Sequence, residues 1–139
     1  MLSISDRDAV TYATRAHRTH PASAHLDFDH ELDDASPAPG ELTVLPVYGT
    51  ALEEVLLLHE PTGLLISQDL LQANLTAHRR PFASRIYTFG FGLHDRVGFN
   101  GYVLFLINDL HEFQRGLAPL LRTPPRRMVG AHFGLVEGP

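Results

Sequence analysis

Two apolar runs joined by a Pro-Thr-Gly turn constrain this chain more than any other feature. Glu54 to His59 (EVLLLH) and Leu64 to Ser67 (LLIS) flank Pro61-Thr62-Gly63. Proline presets φ for a turn and glycine accepts a positive φ, so the segment predicts a β-hairpin. Leu and Val recur almost without interruption, which predicts that both faces of the strands are covered. An acid, Asp69, follows the second run. Far downstream a short apolar run delivers His132 in RRMVGAHFG. An acid and a histidine at the ends of adjacent buried strands are what a metal or hydrolytic site requires.

At 139 residues, 44% hydrophobic and 19% charged, the chain is expected to form a single domain, 1–139, with a real core. The formal net charge of −5 argues against a nucleic-acid partner, because non-specific binding needs basic surface. All 11 basic residues are arginine, which reads as coding bias. With no cysteine, a disulfide framework, a thiol nucleophile and a thiolate metal site are excluded. No apolar run approaches the roughly 20 residues that span a bilayer, and no signal peptide is visible. The expectation is a cytoplasmic protein with no membrane partner.

Along the chain, Ser5-Asp6-Arg7-Asp8 has the form of a capping box, and Val10, Ala13 and Ala16 follow with helical spacing. This predicts an N-terminal helix within 1–20. Residues 21–41, rich in Pro, Ala, Asp and His, read as loop with at most one short strand. Leu42 to Val47 reads as a strand. A helix is predicted over Asp69 to Ala77, with Asp69 or Ser67 as its cap. Residues 79–101 read as a long, Gly- and aromatic-rich loop. Tyr102 to Leu121 carries the strongest helical signal, with Phe113, Leu117, Leu120 and Leu121 on one face and Pro119 predicted to kink or break it. Met128 to Ala131 is a last short strand. Together these predict a layered α/β unit with a mixed sheet packed with helices.

Nine histidines invite a metal hypothesis, but they are scattered. Asp69 is either a metal ligand or a helix cap. His132 is either a ligand or base, or a hydrogen-bonded strand-end residue. His25-Leu26-Asp27-Phe28-Asp29-His30 is either a metal cluster or a solvated acidic loop. His59, beside Glu60, reads as a strand-end residue facing water. His94-Asp95-Arg96 could line a pocket. Asp109, His111 and Glu112 read as the polar face of the long helix. No G-x-S-x-G elbow and no phosphate-binding glycine loop is present.

The segment GTALEEVLLLHEPTGLLISQDLL, from Gly49 to Leu71, resembles the metallo-β-lactamase superfamily, in which a strand pair leads to a metal-bridging aspartate. VGAHFG is similar to the strand that closes that fold. The resemblance, covering roughly residues 26 to 138, is especially to an uncharacterised, domain-of-unknown-function branch. It implies a fold like half of an αββα sandwich, over 42–139. It also implies Asp69 and His132 as metal ligands and zinc, iron or manganese as candidate metals, with no metal an equal alternative. Thr50 stands where the family has a histidine ligand. The nearest match to the family's H-x-H-x-D-H motif is His25 to His30, with Asp27 at the middle histidine. The segment LDFDHELDD also resembles a different family element, the short acidic strand and turn just ahead of the histidine missing at Thr50, and on that alignment the chain corresponds to the C-terminal half of the fold. Two ligands fall short of the three that a catalytic zinc needs. The resemblance therefore implies an incomplete metal site and a non-catalytic protein that assembles as a homo-oligomer. The alternative it leaves is a metal-dependent hydrolase whose metal-bound hydroxide is held by Asp69, His132 and further ligands.

Overall fold

The hairpin forms where the sequence places it in the computed structural model, which describes residues 10–33, 40–52, 54–75, 81–90, 93–131 and 133–137. In chain order the elements are β1 (Tyr12–Ala13), α1 (Arg15–Thr19), β2 (His30–Glu31), β3 (Leu42–Pro46), β4 (Val55–His59), β5 (Leu64–Ser67), β6 (Leu71–Ala73), α2 (Phe82–Gly90), β7 (Val97–Phe99), a 3-10 helix (Gly101–Phe105), α3 (Leu110–Arg122), β8 (Arg127–Gly130) and β9 (Phe133–Glu137). A five-stranded sheet runs in the order β3-β4-β5-β8-β9. Its β5 and β8 are parallel and its other pairings antiparallel. The architecture is therefore mixed α/β. At the hairpin turn Gly63 adopts φ +65°, the conformation that the Pro-Thr-Gly sequence anticipates.

Side chains alternate across the sheet. Leu45, Leu56, Leu58 and Leu65 point to one face and join Val47, Leu70 and Val103 beneath Phe113 and Leu117 of α3. Leu56, Leu65 and Leu70 are fully buried, each worth about 2 kcal/mol of transfer free energy. The helix comes this close because Gly116 has no side chain; a Cβ there would sit 3.0 Å from the Pro46 carbonyl oxygen. Val44, Leu57, Ile66 and Val129 are in register as one row on the opposite face, and each is only half-buried. Among the described residues the fully buried leucines lie on the α3 side, and the opposite row is less deeply buried than the face under α3. Leucine-rich strands are compatible with double burial but do not require it.

Several expectations are revised. Ser5 to Asp8 lies outside the described residues. Tyr12–Ala13 is extended and pairs in parallel with His30–Glu31, leaving helix only at Arg15–Thr19. The β-favouring Thr11 and Tyr12 find a strand partner, and Thr14 caps what remains, accepting from the His17 N–H. The predicted helix from Asp69 gives way to β6, which pairs with β7. The predicted loop at 79–101 contains α2 and β7. The long helix is split, and Asp109 is its N-cap, accepting from the Glu112 N–H at 3.0 Å. Pro119 sits inside α3, which continues past it to Arg122, so the predicted break falls only after Arg122. β9 had no counterpart in the sequence reading.

Candidate functional site

Parallel pairing of β5 and β8 puts the carboxyl ends of two adjacent strands side by side, the position where α/β sheets collect their ligands. Ser67 lies opposite Gly130, and the Ala131 N–H donates to the Ser67 carbonyl at 3.2 Å. The turn that follows β5 carries Asp69, whose side chain is exposed. The sequence thus brings Asp69 to the strand end next to 130–131. His132 itself lies outside the described residues.

What shapes the Asp69 turn is Glu54, which the sequence reading did not single out. Glu54 is 6% exposed, and its carboxylate accepts four hydrogen bonds. Ser67 Oγ (3.0 Å) and the Gln68 N–H (2.8 Å) donate to Oε1. The N–H groups of Asp69 (3.0 Å) and Leu70 (2.7 Å) donate to Oε2. Ser67 Oγ in turn accepts from the Leu71 N–H at 3.2 Å. An ionised carboxylate offers about four acceptor positions, so this one is saturated. Glu54 is accordingly a structural anion that holds a backbone turn and has no capacity left for a metal or a substrate. The sequence signal was faint: an acid directly ahead of an apolar strand.

A cavity of about 300 Å³ opens beside this turn, lined by Asp69, Gln68 and Glu54 on one side and by Tyr12, Thr14 and His17 on the other. His17 Nδ1 and Thr14 Oγ1 lie 2.7 Å apart. A second cleft of about 700 Å³ shares Thr14, Leu32, Glu54 and Val55 and extends past Arg15, Glu31 and Asn108 to Thr50. Thr50 is 7% exposed and makes an isolated bridge with Ile107. Its hydroxyl has no hydrogen-bond partner. A buried hydroxyl without a partner costs on the order of 1–3 kcal/mol. Thr50→Val is therefore expected to raise stability by about 1 kcal/mol, read from the urea midpoint. A loss of stability in that variant would mean the hydroxyl is satisfied in solution.

The other candidates stand apart from this site. His25 is exposed in a turn. Asp29 accepts from the Thr11 N–H and the Thr11 hydroxyl, both at 2.8 Å. Those hydrogen bonds, the backbone one first, hold its carboxyl below the usual aspartate range. The His30 ring lies 5.0 Å from that of Tyr12. Asp29 thus ties the β1–β2 pair together. His59 Nδ1 meets Thr62 Oγ1 at 2.7 Å. His94 Nε2 lies 3.5 Å from Asp95 Oδ2. Among the described residues no three His, Asp or Glu side chains gather as a metal shell. No family model, curated protein or solved structure matches this chain.

Proposed function

We propose that this chain is a non-catalytic, cytoplasmic module with the fold of one half of a metallo-β-lactamase sandwich, its metal centre replaced by internal hydrogen bonding, acting as an assembly unit. The Glu54 clamp carries this reading. The turn that would present Asp69 to a metal takes its shape from a buried carboxylate of the same chain, so the shape needs no ion. The half-buried row Val44, Leu57, Ile66 and Val129 supports the assembly part. That face would lie against the second half of a sandwich, and here a second copy is its natural cover.

One preparation tests both parts. Protein purified without a histidine tag is expected to contain far less than one metal ion per chain by elemental analysis. Its melting temperature should not move in chelator, and light scattering should report a homodimer at micromolar concentration. Near-stoichiometric zinc, iron or manganese with a chelator-sensitive melt would overturn the reading. It would favour a metal-dependent hydrolase using Asp69, His132 and a further ligand such as His17, which shares the Asp69 cavity. A monomer would remove the assembly role.

A further inference from the structure

Helix α2 is inside out. At 100° per residue Phe82, Ile86 and Phe89 fall on one narrow stripe, and they are 75%, 57% and 77% exposed. The side turned toward the protein carries Ser84 and Thr88, with Thr88 3% exposed and its hydroxyl donating to the Arg85 carbonyl. A helix that seats its small polar residues and shows phenylalanine to water has given up the burial that normally holds such a helix in place. Contiguous exposed apolar surface of this kind marks a docking face.

Charge says what docks. From Leu70 to His94 the sequence contains no acid, and from Leu70 to Asn108 four arginines (Arg79, Arg80, Arg85 and Arg96) face the single Asp95, a net of +3. Since the whole chain carries −5, the rest of it carries −8. Nine of the fifteen exposed large apolar side chains among the described residues, Phe82 and Phe89 included, belong to this same basic stretch.

We propose that α2 is an interfacial helix that lays Phe82, Ile86 and Phe89 into the surface of an anionic lipid bilayer, with Arg85 of the same helix on the headgroups. A bilayer stacks an anionic layer over an apolar one, and it accepts protruding side chains without a shaped groove. Arginine flanks with phenylalanine tips are the composition of helices that lie in that interface. The acidic remainder of the chain, repelled by the same surface, fixes which side faces the membrane. A second copy of this chain is the competing occupant, and the oligomeric state of the serine variant below separates the two. No helix among the described residues is long and apolar enough to cross a membrane, and lying on one requires no such length.

The chain contains no tryptophan, so Phe89→Trp supplies a single fluorescent reporter at an exposed site. With vesicles of phosphatidylcholine and 30% phosphatidylglycerol at low salt, its emission is expected to shift to the blue. In sedimentation with the same vesicles, the unsubstituted chain is expected to bind at least about tenfold more strongly than to pure phosphatidylcholine. Arg85→Gln should lower that binding by about fivefold, and the double variant Phe82→Ser/Phe89→Ser should abolish it with an unchanged circular dichroism spectrum. High salt should weaken it throughout. No shift on vesicles, equal binding to zwitterionic lipid, or a serine variant that turns a dimer into a monomer without affecting vesicle binding would each overturn the proposal. The metal and chelator results bear on none of these readings.

Discussion

Glu54→Ala is expected to destabilise the fold by on the order of 3–5 kcal/mol, although the residue adds no apolar side chain to the leucine core. Its carboxylate is the shared acceptor for Ser67 Oγ and the N–H groups of Gln68, Asp69 and Leu70. Removing it strands three backbone donors at a part-buried turn, of which the buried Leu70 N–H is the costliest, at roughly 1–3 kcal/mol when left without a partner. The cavity alongside admits water, so the total falls short of three times that figure. Glu54→Gln keeps the shape but points an amide NH2 at backbone N–H groups, and about half the penalty should remain. The measurement is the urea midpoint at unchanged slope, with amide exchange at Gln68 to Leu70 as the local readout. Asp69→Asn, on the same turn but exposed, should stay within about 0.5 kcal/mol. If Glu54→Ala proved equally mild, the turn would hold itself and the clamp would be incidental.

The second large effect belongs to Gly49→Ala. Gly49 has φ +70°, and a Cβ there would lie 2.1 Å from the Asp109 carbonyl oxygen and 2.9 Å from the Phe113 nitrogen. Its own carbonyl accepts from the N–H groups of Asn108 (2.9 Å) and Asp109 (3.1 Å), so the backbone is tied to the first turn of α3 and cannot step aside. The left-handed backbone costs about 1–2 kcal/mol for a residue with a Cβ, and the clash with backbone atoms adds about 1–3 more. The total, about 4 kcal/mol, is enough to lower the soluble yield. Gly40→Ala separates the two terms. It shares a positive φ, +65°, but has nothing within 4 Å, so it should lose only about 1 kcal/mol. Equal melting temperatures for the two variants would contradict the close approach at Gly49.

Local chemistry explains which parts could be read in advance. The β4–β5 hairpin was legible because Gly63 and Pro61 name its turn, and α3 because Phe113 and Leu117 repeat at helical spacing. The β6–β7 pair was not, since Leu71 meets Phe99 across a gap that no short pattern spans. The same holds for Glu54, whose partners lie 13 to 16 residues away. Helix α2 had the spacing in plain view, but its apolar stripe points outward and its glycine-rich surroundings read as loop. At the candidate site, Asp69 and its strand end were legible, while Thr14 and His17 enter only through the tertiary position of the N-terminal segment.

The parallel contact between β5 and β8 also bears on how the molecule comes together. β3, β4 and β5 are consecutive and can zip up from tight turns, whereas β5 must keep its free edge until about sixty more residues have been made and ordered. On a ribosome, β8 emerges long after β5. An unfinished chain would therefore present the Leu64–Ser67 edge to any passing strand, and speed of completion, as much as final stability, decides how much of it reaches the native sheet.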